Sequence, residues 1–260
     1  MTMAAPGPLA GKGIVVTRPA HQSGQFAATL AVAGARAILF PTIEILAPSD
    51  APALDALIDR LDQFDLAVFV SPNAARVAMK AISARRVWPA AVQAATVGRG
   101  GASELQRCGI ADVIAPARFD SEALLEMPAL QAVAGKRVLI FRGEGGRELL
   151  GETLRARGAA VEYAACYRRA LPQADAAPLL AAWTGGQIDA VTVTSSEGLR
   201  NLCTLIGAAG MVFLKQTPLF VPHPRIESAA RAAGCARVLR TQQGDDGLVA
   251  GLVAWFAAAH

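Results

Sequence analysis

Polar and glycine-rich turns follow several of the apolar runs in this chain, and their residue types suit anion binding. The turn VSPNAA holds Ser71 and Asn73, and VTSSEG holds Ser195 and Gly198. Hydroxyl and amide side chains at such places cap helices, whose free N–H groups and partial positive charge attract anions. Arginine adds two-pronged recognition of carboxylate or phosphate. The predicted anion-binding residues are Arg18, Ser71, Asn73, Gly98, Arg99, Gly101, Arg142, Gly143, Ser195, Ser196, Gly198, His223 and Arg225.

Structural roles are the alternative for several of these residues. In this alternative, Ser71 and Ser195 cap helices and have no other role, and Arg18 and Arg142 form structural ion pairs. The run VGRGGAS follows a late strand and lacks an acidic partner for a ribose, so it does not indicate a dinucleotide site. The run RGEGGRE lacks the Lys-Ser/Thr pair of a phosphate-binding P-loop.

Tyrosine is rare in the chain, which has only Tyr163 and Tyr167. Tyr167 lies in AACYRRALP, an extended segment that does not pass promptly into a helix. A phenol there can act as a proton donor to a bound substrate. The alternative is that the ring only packs or hydrogen-bonds within this segment.

Composition bounds the class of protein and its partners. The 260 residues are 53% hydrophobic and 18% charged, which is typical of a globular chain. The net charge of +4 suits an anionic small molecule, but no Lys/Arg run predicts nucleic-acid binding. No hydrophobic signal core or membrane span is evident. The four cysteines form no metal-ligand spacing and indicate buried, reduced thiols in a cytoplasmic protein.

The chain contains an internal repeat, because the sequence of residues 138–248 is similar to that of residues 14–124. Arg18 and Arg142 are 124 residues apart, and so are Ser71 and Ser195. Two copies of one unit predict two similar domains with a ligand cleft.

Each copy alternates apolar, β-rich runs with helical stretches, which predicts two flavodoxin-like α/β domains built on parallel sheets. Two extended segments, 41–48 and 164–172, occupy the same place in their copies and are predicted to be inter-domain linkers. If both linkers cross, one domain is 1–40 plus 173–260 and the other is 49–163. The residues alone leave sequential domains equally open. The predicted strands are 14–17, 36–40, 66–70, 93–97, 111–115, 137–141, 160–163, 190–194, 218–221 and 236–239.

Several segments together resemble the uroporphyrinogen-III synthase family. The matching runs include VVTRPAHQSGQFAATLAVAGARAILFPTIEI, VFVSPNA, AATVGRGGASELQRCG, VLIFRGEGGRELLGETLRARGAAVEYAACYRR, VTVTSSEGLRNL and VPHPRIESAARAAG. They occur in the family's order and cover about residues 12–255. The resemblance favours the exchanged domain arrangement with a two-stranded linker.

What the resemblance implies is a lyase of heme and porphyrin biosynthesis that needs no cofactor and no metal. Its substrate is hydroxymethylbilane, a linear tetrapyrrole with eight carboxylates. The enzyme removes the terminal hydroxyl as water and closes the macrocycle with inversion of ring D. Apart from the resemblance, the protein is expected to be a monomer in the cytoplasm. The alternative is a non-catalytic anion- or tetrapyrrole-binding module of two domains.

The resemblance also assigns site residues. A family tyrosine that helps the hydroxyl to leave matches Tyr167, and a common loop threonine is replaced here by Gly101, with Ser103 close by. Backbone-amide contacts to substrate carboxylates fall on Ser71–Asn73, Gly98–Gly101, Ser195–Gly198 and His223–Arg225.

Overall fold

The computed structural model describes residues 7–117, 121–146 and 148–258. Its backbone divides into two compact units. One unit runs up to Glu44 and resumes at Ala170, and the other is the intervening segment Ile45–Arg169. Each unit is built on one sheet, so the predicted α/β fold with two parallel-sheet units is confirmed.

The first unit holds a five-stranded sheet in the order β11-β10-β9-β1-β2, and its strands pair in parallel. Numbered by their place in this unit, the strands have the order 2-1-3-4-5 of a flavodoxin-like fold. The strands are β1 (Gly13–Val16), β2 (Arg36–Leu39), β9 (Ala190–Thr192), β10 (Leu219–Val221) and β11 (Val238–Arg240). The helices are α1 (Ala20–Val32), α8 (Ala177–Thr184), α9 (Ser196–Leu214), α10 (Pro224–Ala232) and α11 (Gly244–Ala258).

The second unit holds a six-stranded sheet in the order β3-β8-β7-β4-β5-β6, and β4 to β8 pair in parallel. The strands are β3 (Glu44–Leu46), β4 (Leu66–Phe69), β5 (Gln93–Thr96), β6 (Val113–Ile114), β7 (Arg137–Gly143) and β8 (Ala160–Ala170). The helices are α2 (Ala51–Asp59), α3 (Pro72–Ser83), α4 (Arg99–Arg107), α5 (Ser121–Leu125), α6 (Pro128–Gln131) and α7 (Leu149–Ala156), with a 3-10 turn at Leu61–Gln63.

The strand pairing crosses between the two copies of the repeat. In the first sheet β1, from the first copy, pairs with β9 from the second, with Ile14 opposite Ala190. In the second sheet β4, from the first copy, pairs with β7 from the second, with Leu66 opposite Val138. Each sheet therefore takes two strands of the 2-1-3-4-5 order from one copy and three from the other.

Both sheets bury apolar side chains on both faces, because successive residues of a strand point to opposite sides. Along β4, Ala67 and Phe69 join one cluster with α3, while Leu66 and Val68 join another with α7. The same alternation holds along β1, where Val15 faces the opposite way from its neighbours. Continuous apolar strands are therefore what this architecture requires.

Two glycines show how helices end at equivalent places in the copies. Gly34 follows α1 with φ of 90°, and Gly158 follows α7 with φ of 86°. This left-handed backbone favours glycine, which lacks a Cβ, and closes the helix.

The structure corrects some sequence expectations. The predicted strand 111–115 is shorter, because only Val113–Ile114 pairs at the sheet edge. The predicted strand 160–163 is longer, because β8 extends to Ala170 and includes most of the extended segment 164–172. Cys108 is exposed, so the expectation of buried thiols is wrong there, although Cys166 and Cys235 are buried. In the described part of the chain, no helix is long and apolar enough to cross a membrane.

Candidate active site

The predicted site residues of the second unit meet at the carboxyl edge of its sheet. Ser71 follows β4 and caps α3, where its Oγ accepts a hydrogen bond from the Ala74 backbone N–H at 3.0 Å. Tyr167 lies on β8, and its Oη is 3.3 Å from Ser71 Oγ, so the two hydroxyls share a hydrogen bond. A strand-end serine and the phenol that sequence analysis selected separately are therefore direct partners.

Gly143 lies beneath the Tyr167 ring. A Cβ at residue 143 would lie 2.7 Å from Tyr167 Cε2 and 2.8 Å from Cζ, distances that real Cβ atoms essentially never show. The backbone also joins the two strands here, because the Glu144 N–H donates to the Tyr167 carbonyl at 2.8 Å. Glycine at residue 143 thus lets the phenol pack flat against β7. Only 4% of Tyr167 is exposed, and its ring belongs to the apolar core.

The Gly98–Gly101 loop begins α4 at the end of β5, beside α3. A Cβ at residue 100 would lie 2.9 Å from Pro72 Cγ, and one at residue 101 would lie 2.1 Å from Thr96 Oγ1. Thr96 is fully buried and donates its hydroxyl hydrogen bond to the Phe69 carbonyl at 2.8 Å. A threonine at residue 101 therefore has no room here. Arg99 and Ser103 are exposed and Asn73 is half-buried, in the first turns of α4 and α3.

Arg142 ends β7 next to Gly143, but its guanidinium already has protein partners. Its Nη1 lies 2.8 Å from Glu148 Oε1, and its Cζ lies 4.7 Å from the centre of the Tyr163 ring. The Tyr163 hydroxyl is the largest cause that lowers the pKa of Glu148, and the Arg142 guanidinium is the next. Burial is the largest cause that raises the pKa of Tyr163, and Glu148 is the next. The side chain of Arg142 is 9% exposed.

Glu144 holds the chain that enters this unit. Its carboxylate accepts hydrogen bonds from the backbone N–H and the hydroxyl of Ser49, at 2.5 Å and 3.0 Å. Since the Glu144 N–H also binds the carbonyl of Tyr167, one residue ties the segment after β3 to the tyrosine strand.

In the first unit, Ser195 occupies the position equivalent to Ser71. Ser195 caps α9, and its Oγ accepts a hydrogen bond from the Gly198 N–H at 2.9 Å. A Cβ at residue 198 would lie 3.2 Å from Thr42 Oγ1, so the helix start packs closely on the chain after β2. Ser196 Oγ is buried and makes no hydrogen bond to the described residues.

Arg18 repeats the arrangement of Arg142 in the first unit. Its Nη1 lies 2.5 Å from Asp245 Oδ1, and its Cζ lies 4.6 Å from the centre of the Phe26 ring. Each of these equivalent arginines thus stacks on an aromatic ring and pairs with an acid in the first turn of a helix or just before it. The guanidinium of Arg18 is held at the carboxyl end of β1 by its own unit.

His223 caps α10 after β10. Its Nδ1 accepts a hydrogen bond from the Arg225 N–H at 3.1 Å. Both side chains are exposed, and the Arg225 guanidinium forms no ion pair with the described residues. Arg225 therefore differs from Arg18 and Arg142, because its charge stays available to a ligand.

The comparisons with known proteins agree on one family. The model for uroporphyrinogen-III synthase HemD matches residues 24–250. The chain is 39% identical over 194 residues to the uroporphyrinogen-III synthase of Salmonella typhimurium, covering 74% of this chain and 79% of that protein. The chain belongs to the uroporphyrinogen-III synthase family. The relative from Escherichia coli is 37% identical over 195 residues, with the same two coverages.

Solved structures of the family show the same fold. The uroporphyrinogen III synthase of Thermus thermophilus, as a triple mutant, superposes with a TM-score of 0.61 at 16% identity, covering 96% of this chain and all of that one. The Helicobacter pylori protein gives 0.58 at 12% identity, covering 94% and 99%. The family predicted from the motifs is confirmed. As a uroporphyrinogen-III synthase, the chain is a lyase of porphyrin biosynthesis rather than a non-catalytic module.

The sequence did not indicate the residues that bind the side chains of the predicted site arginines. Glu148 and Tyr163 fix Arg142, and Asp245 fixes Arg18. Both acids stand at helix starts, and an acidic pair such as Asp245-Asp246 in a sequence indicates a helix start but not the arginine with which it pairs. No local pattern indicated that Glu144 binds Ser49, because the two residues are 95 positions apart.

Proposed function

We propose that this chain converts hydroxymethylbilane into uroporphyrinogen III, with loss of water and inversion of ring D. Support comes from the family and from the pairing of Tyr167 with Ser71 at the carboxyl edge of the second sheet. Ligands of open parallel sheets bind at this edge. The proposed reaction uses no cofactor.

The chemistry needs few side chains. The terminal pyrrole is rich in electrons and expels the hydroxyl once a proton reaches that oxygen. Tyr167 supplies this proton through its phenol. The enzyme then holds the last ring so that its substituted α-carbon is attacked and a spiro intermediate forms. Positioning and exclusion of water are what distinguish this route from simple ring closure.

Substrate access to Tyr167 requires local movement. Since only 4% of the residue is exposed, the proposal needs the surroundings of its hydroxyl to open when the substrate enters. The neighbouring turn contains Gly145 with φ of 70° and Gly146 with φ of 123°, which are backbone conformations that favour glycine. The proposed opening is a displacement of the turn after β7.

The helix starts at the carboxyl edge of each sheet are the proposed carboxylate sites. Backbone N–H groups at the starts of α3, α4, α9 and α10 suit carboxylates because the partial positive charge of a helix lies there. Arg99 and Arg225 are the exposed guanidinium groups among the predicted set. Ser103, which is exposed on α4, is the proposed source of any loop hydroxyl, because Thr96 leaves no room for a side chain at residue 101. The full set is the one predicted from the sequence, including Asn73, Arg99, Gly143, Ser196 and His223.

The remaining expectations are also proposals. The functional domains are 1–40 plus 173–260 and 49–163, joined by 41–48 and 164–172. The protein acts as a monomer in the cytoplasm, without nucleic-acid or membrane partners. Sedimentation equilibrium tests the oligomeric state, because a monomer has a mass of 26.9 kDa. A doubled mass at micromolar concentration would contradict it.

The observation that carries the proposal is the Tyr167–Ser71 contact, and an isomer assay tests it. Hydroxymethylbilane is supplied, the products are oxidised, and the type I and type III uroporphyrins are separated. We expect protein-dependent type III product, reduced about 10²-fold or more in Tyr167→Phe because a general acid is lost. Tyr163→Phe is the matched control and retains turnover. Type I product alone, at the blank rate, would reject the function, and full activity of Tyr167→Phe would reject the role of the phenol.

A further inference from the structure

We propose that Ser71 is a positioning residue whose hydroxyl donates a hydrogen bond to Tyr167 Oη and thereby readies the phenol to release its proton. This inference rests on the proposed function of Tyr167. It gives Ser71 a role beyond capping α3 or binding a carboxylate.

The donor follows from counting hydrogens. A serine hydroxyl has one hydrogen and two lone pairs. One lone pair of Ser71 Oγ accepts the Ala74 N–H, and the second partner within 3.5 Å is Tyr167 Oη at 3.3 Å. When Tyr167 gives its proton to a substrate, that hydrogen points away from Ser71. The hydrogen between the two oxygens must then come from Ser71.

Both partners are held in place by backbone features. Ser71 is the N-cap of a twelve-residue helix, and the cap hydrogen bond to Ala74 fixes its side chain. The Tyr167 ring lies on the Gly143 backbone, and the Glu144 N–H binds the Tyr167 carbonyl. The phenol therefore has little room to swing, so that the direction of its hydroxyl depends on Ser71.

The proposed role concerns the charge that develops in the reaction. As the C–O bond of the substrate breaks, its electron pair leaves with the oxygen, which takes the Tyr167 proton and departs as water. The phenol becomes a phenolate, and a hydrogen bond from Ser71 strengthens as that charge grows. Attack through the substituted α-carbon of ring D forms the C–C bond of the spiro intermediate. One bridging C–C bond of that intermediate then breaks and a new one forms at the other α-carbon, which inverts the ring. The proton released from that carbon returns to the phenolate. The balance is the loss of one water.

This role competes with carboxylate binding by the same side chain. The single hydroxyl hydrogen of Ser71 cannot be donated to Tyr167 and to a substrate carboxylate at once. Removal of the hydroxyl is therefore expected to lower kcat rather than to raise KM. A residue that only bound the ground state would show the reverse.

A vibrational measurement at neutral pH tests the contact without using activity. In a Tyr163→Phe background Tyr167 is the one remaining tyrosine. The Raman bands of a tyrosine ring report whether its hydroxyl accepts or donates a hydrogen bond. Because Ser71 is the proposed donor to Tyr167 Oη, Ser71→Ala is expected to remove the signature of an accepted hydrogen bond. Ser71→Thr keeps the hydroxyl and is expected to restore that signature.

Control variants separate the contact from helix capping. Ser195→Ala removes the equivalent cap in the first unit, where the Gly198 N–H is the partner, and is expected to leave the Raman signature of Tyr167 unchanged. Ser71→Gly removes the hydroxyl with a smaller loss of cap stability and serves if Ser71→Ala folds poorly. An unchanged Raman signature of Tyr167 in both Ser71→Ala and Ser71→Gly would overturn the proposal.

Kinetics complete the test and keep the two proposals apart. We expect Ser71→Ala to lower kcat about 10- to 100-fold with little change in KM, and to have no further effect when Tyr167 is already Phe. If the unaltered protein forms no type III product, the proposed function fails whatever the Raman measurement shows. If it forms that product while Ser71→Ala keeps full kcat, the positioning role fails alone.

Discussion

Gly143→Ala is the substitution whose effect the structure defines most sharply. The added Cβ would lie 2.7 Å, 2.8 Å and 3.1 Å from Cε2, Cζ and Oη of Tyr167. Gly143 is not among the positive-φ glycines, so alanine fits its backbone and the effect is steric. The obstacle is the phenol itself, and the ring has to move if the strand does not.

The size of that movement sets the expected effect. Carbon atoms in contact are about 3.5–4.0 Å apart, so the ring has to retreat by roughly 0.8 Å. The Ser71–Tyr167 contact is already 3.3 Å long and is lost if the hydroxyl retreats with the ring. Overpacking of this kind costs about 1–3 kcal/mol of stability. A misplacement of about 1 Å at a reacting group costs about 10²-fold in rate.

Two measurements on one sample test the prediction. Urea unfolding of Gly143→Ala is expected to show the loss of stability, and the type III isomer assay the loss of kcat. Gly24→Ala is the matched control, since nothing lies within 4 Å of a Cβ there. In that helix alanine is expected to gain roughly 0.5–1 kcal/mol and to leave the rate unchanged. Unchanged stability and turnover in Gly143→Ala would refute the reasoning that the phenol is held against this strand.

The other predictions concern packing and thiols. Gly101→Thr is expected to lose about 1–3 kcal/mol in urea unfolding, because its Cβ would lie 2.1 Å from Thr96 Oγ1, and a fully stable variant would contradict this. Cys108 is expected to react with a disulfide reagent in the folded protein, whereas Cys166 is expected to react only after unfolding; early labelling of Cys166 would show that its burial is wrong. Burial raises the pKa of Cys166 from 9.0 to about 12, so its contribution to stability is present below pH 9 and is lost as the pH rises towards 12. Cys166→Ala should flatten that decline, and an equally steep decline in the variant would contradict it.

Much of the fold could be predicted because strands and helix ends leave local signals. The run LAVF at 66–69 is apolar on both faces, and it forms a central strand with two covered faces. Glycine follows a helix at residues 34 and 158, where the positive φ favours it. The pairing of β1 with β9 could not be predicted from the residues. Sequential domains and domains that exchange strands between the two copies both give five strands of this order per sheet. Only contacts between segments about 175 residues apart decide it.

The candidate site was predictable in its members more than in its contacts. Ser71 and Tyr167 were selected for separate reasons, since one follows a strand and the other lies in an extended segment. Their contact spans 96 positions and depends on the absence of a Cβ at Gly143. A glycine in a sequence does not say which ring will lie against it. The departure at Gly101 is explained only when Thr96 is seen beside it.

The two equivalent arginines indicate how the anion-binding work is divided. Arg18 and Arg142 each stack on a ring and pair with an acid, so a substrate carboxylate that reached Arg142 would have to displace Glu148. Such an exchange replaces one ion pair by another and yields little net binding energy. The helix starts differ, because their N–H groups and partial charge are fixed by the backbone and need no carboxylate to be displaced. A cap such as Ser195 uses only one of these N–H groups. We therefore propose that binding of a polyanion depends more on the helix starts that follow the strands than on these two arginines.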